Sequence, residues 1–202
     1  MSHRLHPTCL REYDIRGIYG DTLAEADAKA VGRTFGTLVR REGGTTVAVG
    51  RDGRQSSPGL ETALIEGLTA SGIDVVRIGL GPTPMLYYAE AELPVDGGIM
   101  ITGSHNPGNY NGFKMVLGHG AFFGGHIQTL GGMAATADWE EGSGSVRDED
   151  VIDRYVDRLL QGFDGRPFRI GWDCGNGAAG PVVERLVKRL PGEHFTLFTE
   201  VD

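Results

Sequence analysis

Residues 45–79 read TTVAVGRDGRQSSPGLETALIEGLTASGIDVVRIG. The opening run, 45–50, is β-branched and uncharged, the composition of a buried strand. A loop of glycine and polar residues follows at 53–58. Ser57 then stands as a helix cap with Pro58 in the first helical position. Leu60, Ala63, Leu64, Gly67 and Leu68 recur at helical spacing, and Ser71-Gly72 closes the helix. Residues 74–79 (DVVRIG) form a second strand-like run. Strand, helix and strand in this order make a βαβ unit, whose strands lie parallel.

The pattern extends both ways. Upstream, 22–42 reads as a helix with Thr22 as cap, Glu25 completing a capping box, and Val31, Phe35, Leu38 and Val39 as its apolar stripe. Downstream, Gly81-Pro82-Thr83-Pro84 precedes a short helix over 85–92, and 97–102 (GGIMIT) reads as a third strand. The predicted fold class is therefore α/β: a mixed, mainly parallel sheet flanked by helices. Ligands of such sheets bind beyond the carboxyl ends of the strands, which directs attention to 50–57, 79–84 and 103–114.

Composition narrows the function classes. Acidic residues outnumber basic ones, 27 to 19, and neither half of the chain has the basic excess of a nucleic-acid binder. No apolar run approaches the ~20 residues of a membrane helix. The amino terminus lacks the apolar core of a signal peptide, so a cytoplasmic location is expected. Cys9 and Cys174 stand too far apart in sequence to suggest a disulfide framework or a CxxC metal site. Glycine is the outlier at 33 of 202 residues, gathered where the backbone must turn sharply or approach a ligand.

Residues 102–114, directly after the third strand, read TGSHNPGNYNGFK. Gly103 lets the backbone bend, Ser104 supplies a hydroxyl, and His105 an imidazole able to exchange a proton near neutral pH. Asn106 adds a fixed amide, Pro107-Gly108 stiffens the turn, and Lys114 brings a point charge suited to phosphate. Cations gathered around a serine favour transfer of an anionic group; a polar turn with no catalytic part is the alternative. There is no GxSxG elbow, and GxxxGxK at 108–114 is not a phosphate-binding P-loop. His119 and His126 read as surface residues rather than zinc ligands.

This stretch resembles the phosphoserine loop of the α-D-phosphohexomutases, with its TASHNP…YNGxK signature. REYDIRG at 11–17 resembles the same family's amino-terminal segment, and GRDGR at 50–54 its first strand-end loop. YDIRG and YNGFK point to the phosphomannomutase/phosphoglucomutase branch. The resemblance implies a four-domain enzyme that interconverts hexose 1-phosphate and hexose 6-phosphate of mannose or glucose. Ser104 would be the phosphoserine, exchanging its phosphoryl group through a hexose 1,6-bisphosphate, and its phosphate would be this chain's one ligand to Mg²⁺. His105 and Lys114 would flank the phosphoryl group, Arg16 would stabilise charge and move protons, and Tyr13 would contact the phosphohexose substrate at the cleft mouth. Gly103 stands where alanine is commoner. On the residues alone, Arg16 has a second reading as an anchor pairing with Asp14 or Asp52. Tyr13 has one as half-buried packing, and Arg51–Asp52 reads as a structural ion pair.

The acidic stretch 138–157 reads as a solvated loop entering a helix over 149–160, whose face of Val151, Ile152, Tyr155, Val156, Leu159 and Leu160 would bridge two domains. The expected division is 1–150 for the first domain and 151–202 for the start of a second. That second part shows a strand (168–172), a glycine turn, a helix (180–190) and a strand (195–199), too little to close a core of its own. The family's DGDGDR-type, GEMSGH-type and RxSNTxP-type loops do not occur, so the chain by itself is not expected to be a competent mutase. Residues 175–180 (GNGAAG) fit GxGxxG, with Glu200 placed as in a dinucleotide-binding fingerprint; close helix–strand packing is the simpler reading. A non-catalytic phosphosugar-binding module is the remaining alternative.

Overall fold

The computed structural model describes residues 1–202. A seven-stranded sheet forms the centre of the fold. In chain order its elements are β1 (Ile15–Ile18), α1 (Glu25–Arg41), β2 (Thr46–Arg51), α2 (Ser57–Ala70), β3 (Asp74–Leu80), α3 (Thr83–Glu92), β4 (Gly97–Ile101), β5 (Tyr110–Leu117), β6 (Gly120–Phe122), α4 (Gly125–Thr136) and β7 (Val146–Asp148). The strands lie in the order β1-β5-β4-β2-β3-β7, with β6 on β5. β4, β2, β3 and β7 run parallel, while β5 is antiparallel to β4, β1 and β6. The mixed, mainly parallel sheet expected from the 45–79 pattern is present, and β2–α2–β3 is that βαβ unit.

Two apolar cores cover the two faces of the sheet. On one side α1, α2 and α4 bury Phe35, Leu64 and Leu130 against Val47, Val49, Ile99 and Phe113. On the other, Ala48, Val76 and Met100 meet Met85 and Leu86 of α3. This second core also takes in Ile152, Tyr155 and Val156 of α5 (Ile152–Leu160) and Val182 of α6 (Gly180–Val187). A separate two-stranded parallel sheet, β8 (Phe168–Asp173) with β9 (Gly192–Leu197), completes the chain.

Several local expectations are corrected. The α1 helix starts at Glu25 rather than Thr22. The Thr22 hydroxyl accepts from the Ile18 amide at 2.9 Å, while Asp27 accepts from the Ala24 amide at 2.7 Å and closes the helix start. Ser57 is the first residue of α2 rather than its cap, and its hydroxyl donates to Asp52 at 2.6 Å. The 102–114 segment is a loop only to Asn109; Lys114 lies on β5, opposite Met100 of β4. Strand β5 was hidden because its glycine and its polar Asn111 belong to a turn by composition, whereas its pairing with β1 and β4 is long-range.

Residues 138–149 are not simply solvated. Arg41 pairs with Asp138, Arg40 with Glu140 and Arg77 with Asp148, and Val146–Asp148 adds to the edge of β3. The Arg51–Asp52 ion pair does not form: Arg51 pairs with buried Glu61 at 3.2 Å, and Asp52 with Arg54 at 3.2 Å. The helix and strand expected at 180–190 and 195–199 are α6, ending at Val187, and β9, starting at Gly192. No helix is long and apolar enough to cross a membrane.

Candidate functional site

The loop between β4 and β5 presents Ser104 to solvent at φ 55°, in the left-handed region. That conformation costs a non-glycine residue roughly 1–2 kcal/mol and persists only where neighbouring contacts impose it. Here they do. The Ser104 amide donates to the Thr102 hydroxyl at 2.8 Å, and the Asn106 amide and side chain both donate to the Gly103 carbonyl at 3.1 Å. His105 lies beside the nucleophile candidate, its Nδ1 3.2 Å from Ser104 Oγ.

A second cluster sits on the adjoining strands. Arg16 of β1 and Lys114 of β5 share one carboxylate, Asp14: Arg16 by a short buried contact and Lys114 at 3.2 Å. The register Arg16↔Gly112 and Met100↔Lys114 places both cations on the sheet face that carries Met100. Two cations against one carboxylate leave a net positive charge. Arg16 Nε is buried and has no hydrogen-bond partner. Of the two pairings considered for Arg16, Asp14 is the one made.

Ser104 lines a cleft of about 430 Å³ between the carboxyl ends of the strands and the Gly175–Ala179 turn, together with Asp52, Arg54, Thr83 and Asn176. Tyr13 and Lys114 line a neighbouring cleft of about 660 Å³ with Tyr87, Glu90, His119 and Phe123. Tyr13 is 74% exposed and stacks on Phe123 at 6.5 Å, so it is not half-buried packing. The fold thus pairs Ser104 with His105 and Arg16 with Lys114, and puts Tyr13 beside Lys114 in the second cleft rather than beside Ser104.

No group of three or more His, Cys, Asp or Glu side chains is arranged to hold a metal ion. Asp52, the carboxylate nearest the loop, is fully engaged by Ser57, by Gly103 N and by Arg54. The side chains present therefore do not by themselves fit a Mg²⁺ site. His119 is drawn to buried Glu90, with its Nδ1 at 3.1 Å.

The family profile described as phosphoglucomutase/phosphomannomutase, alpha/beta/alpha domain I, matches residues 8–136, more than half of the chain. The chain belongs to the phosphoglucomutase/phosphomannomutase family. Among the relatives of that family, the phosphomannomutase/phosphoglucomutase of Pseudomonas aeruginosa is 41% identical over 199 residues, covering 98% of this chain and 43% of its own length. The phosphoglucomutase of Neisseria gonorrhoeae is 42% identical over 200 residues, covering 95% and 42%. A solved phosphoglucomutase/phosphomannomutase family protein of Burkholderia thailandensis superposes with a TM-score of 0.94 at 46% identity, covering 98% of this chain and 45% of that one. The chain spans less than half the length of the phosphoglucomutase/phosphomannomutase relatives it matches.

The last glycine of the GxGxxG turn is accounted for by packing. A Cβ on Gly180 would lie 1.9 Å from the Thr199 carbonyl oxygen, so this glycine lets α6 approach the end of β9. The Asn176 side chain donates to the Glu200 carbonyl at 2.8 Å, which ties the turn to the same segment. Arg54 is the site residue that sequence reasoning did not single out. GRDGR marked its loop, but nothing local to that motif indicates that its side chain reaches residues 104–110.

Proposed function

We propose that this chain is the phosphoryl-carrying part of a hexose-phosphate mutase acting on mannose or glucose phosphates. The observation that carries the reading is the presentation of Ser104, an exposed hydroxyl held at positive φ with an imidazole nitrogen 3.2 Å away. A serine phosphate there would pass its phosphoryl group to a sugar hydroxyl. The bond from phosphorus to Ser104 Oγ breaks, a bond to the sugar oxygen forms, and the hydroxyl proton is taken up by a neighbouring base. Return of the other phosphoryl group from the hexose 1,6-bisphosphate restores the enzyme. His105 would hold a proton at the serine oxygen. Arg16 and Lys114 would offset anionic charge. Tyr13 would meet the sugar from the adjoining cleft. Of the Mg²⁺ ligands that the family resemblance implies, Ser104 alone lies in this chain.

Ser104→Ala tests the assignment. Incubation of the protein, as its source makes it, with a hexose 1,6-bisphosphate should add one phosphoryl group, located at Ser104 by fragmentation mass spectrometry. The variant should take up none and melt as the parent does. Uptake by the variant would sink the assignment.

A further inference from the structure

We propose that Arg54 is the positioning residue for the phosphoryl-accepting serine, acting through the backbone of the Ser104 loop; the inference rests on the mutase reading above. A guanidinium carries five N–H donors in a planar fork. In Arg54 all five are engaged. One amino group donates to the carbonyls of Pro107 (2.6 Å) and Tyr110 (3.0 Å), and the other to those of Ser104 (3.1 Å) and Asn106 (2.6 Å). The fifth, Nε–H, donates to Asp52 at 3.2 Å, and the same Asp52 oxygen accepts from the Gly103 amide at 3.1 Å. The Asp52–Arg54 unit therefore holds the backbone on both sides of Ser104, from the Gly103 amide to the Ser104 carbonyl. Neither side chain touches the Ser104 hydroxyl, so the action is on its placement.

Gly103 supplies an independent observation. A Cβ built there would lie 2.3 Å from Cζ and Nε of Arg54 and 2.6 Å from the Tyr110 carbonyl oxygen. The guanidinium lies against the Gly103 backbone, in the space a side chain would fill, so Arg54 packs on the loop as well as bonding to it. Lysine cannot replace the fork, since an ammonium has three donors at one point and cannot span four carbonyls.

The test compares Arg54→Ala and Arg54→Lys with the parent in two readouts. In amide exchange, Asn106 and Tyr110, bonded within the loop to the carbonyls of Gly103 and Pro107, should exchange about tenfold faster in both variants, with Val49 and Ile99 unchanged. Millimolar guanidinium ion should restore Arg54→Ala and leave Arg54→Lys unaltered. In turnover of the protein as its source makes it, kcat should fall roughly a hundredfold with KM little changed, as expected when a reacting group is misplaced. Unchanged loop exchange, or equal acceleration at Val49 and Ile99, would overturn the proposal. Loop exchange behaving as expected while the unaltered protein takes up no phosphoryl group would instead overturn the mutase reading and leave the clamp standing.

Discussion

Asn111 has no solvent exposure, yet it sits among polar groups. Its amide nitrogen donates to the hydroxyls of Ser56 (2.8 Å) and Ser57 (2.9 Å), and its oxygen accepts from the Gly112 amide. Ser57 in turn donates to Asp52, so a buried chain of hydrogen bonds links β5 to the start of α2 and on to the Ser104 loop. Removing one member of such a chain leaves the others unpaired, at about 1–3 kcal/mol. Asn111→Ala is therefore expected to destabilise by about 2 kcal/mol, seen as a lower urea midpoint at unchanged slope. A midpoint equal to that of the parent would show that water replaces the amide.

At the scale of the element, residues 138–148 are held to α1 and β3 by three carboxylates. Hydrogen bonds from Ser145 hold Asp74 below the usual carboxylate range, and those from Arg41 and Arg77 do the same for Asp138 and Asp148. A carboxyl whose folded pKa is depressed contributes its stabilisation above the unfolded value, 3.8 here, and loses it as pH falls through the folded value. All three therefore release in the same direction. As pH falls below about 4, β7 and its flanks should leave the edge of β3 before the central strands open. Pepsin digestion in that range should cut first within 138–148. First cuts inside β2 or β4 would contradict the expectation.

At the scale of the whole molecule, stability is uneven. The seven-stranded sheet is covered on both faces, whereas β8 and β9 form a two-stranded sheet on which Phe168, Phe195, Leu197 and Phe198 are exposed. Two strands packed only on α6 and the end of α5 bury little apolar surface. Amides of β8 and β9 are expected to exchange well before those of β2 and β4, through an opening that leaves the larger sheet closed. Coincident exchange would mean that one cooperative unit spans the chain. The two parts do touch at the site: a Cβ on Gly53, next to Arg54, would lie 2.1 Å from Val201. Opening of the β8–β9 unit would thus uncover the loop that bears the Ser104 clamp.

The α/β class, the βαβ unit over 45–79 and the family were legible in the sequence, because periodicity and contiguous motifs are local properties. Ser104 was singled out in the same way, since GSHNP and YNGFK lie within one short stretch. The three-residue β6, a hairpin arm on β5, and the glycine-bearing helix α4 were not read in the sequence. Strands β1, β5 and β7 were not legible either, because their formation depends on partners far along the chain: Arg16 opposite Gly112, Val146 opposite Val75. The same holds for side-chain partners. Adjacency suggested Arg51 with Asp52, whereas burial drew Arg51 to Glu61 and freed Asp52 for Arg54. Local composition determined that a loop bearing serine and histidine stands at the end of a strand. The close approach of β2 and β4 as parallel neighbours decided that an arginine some fifty residues earlier would hold that loop, and no local pattern encodes that distance.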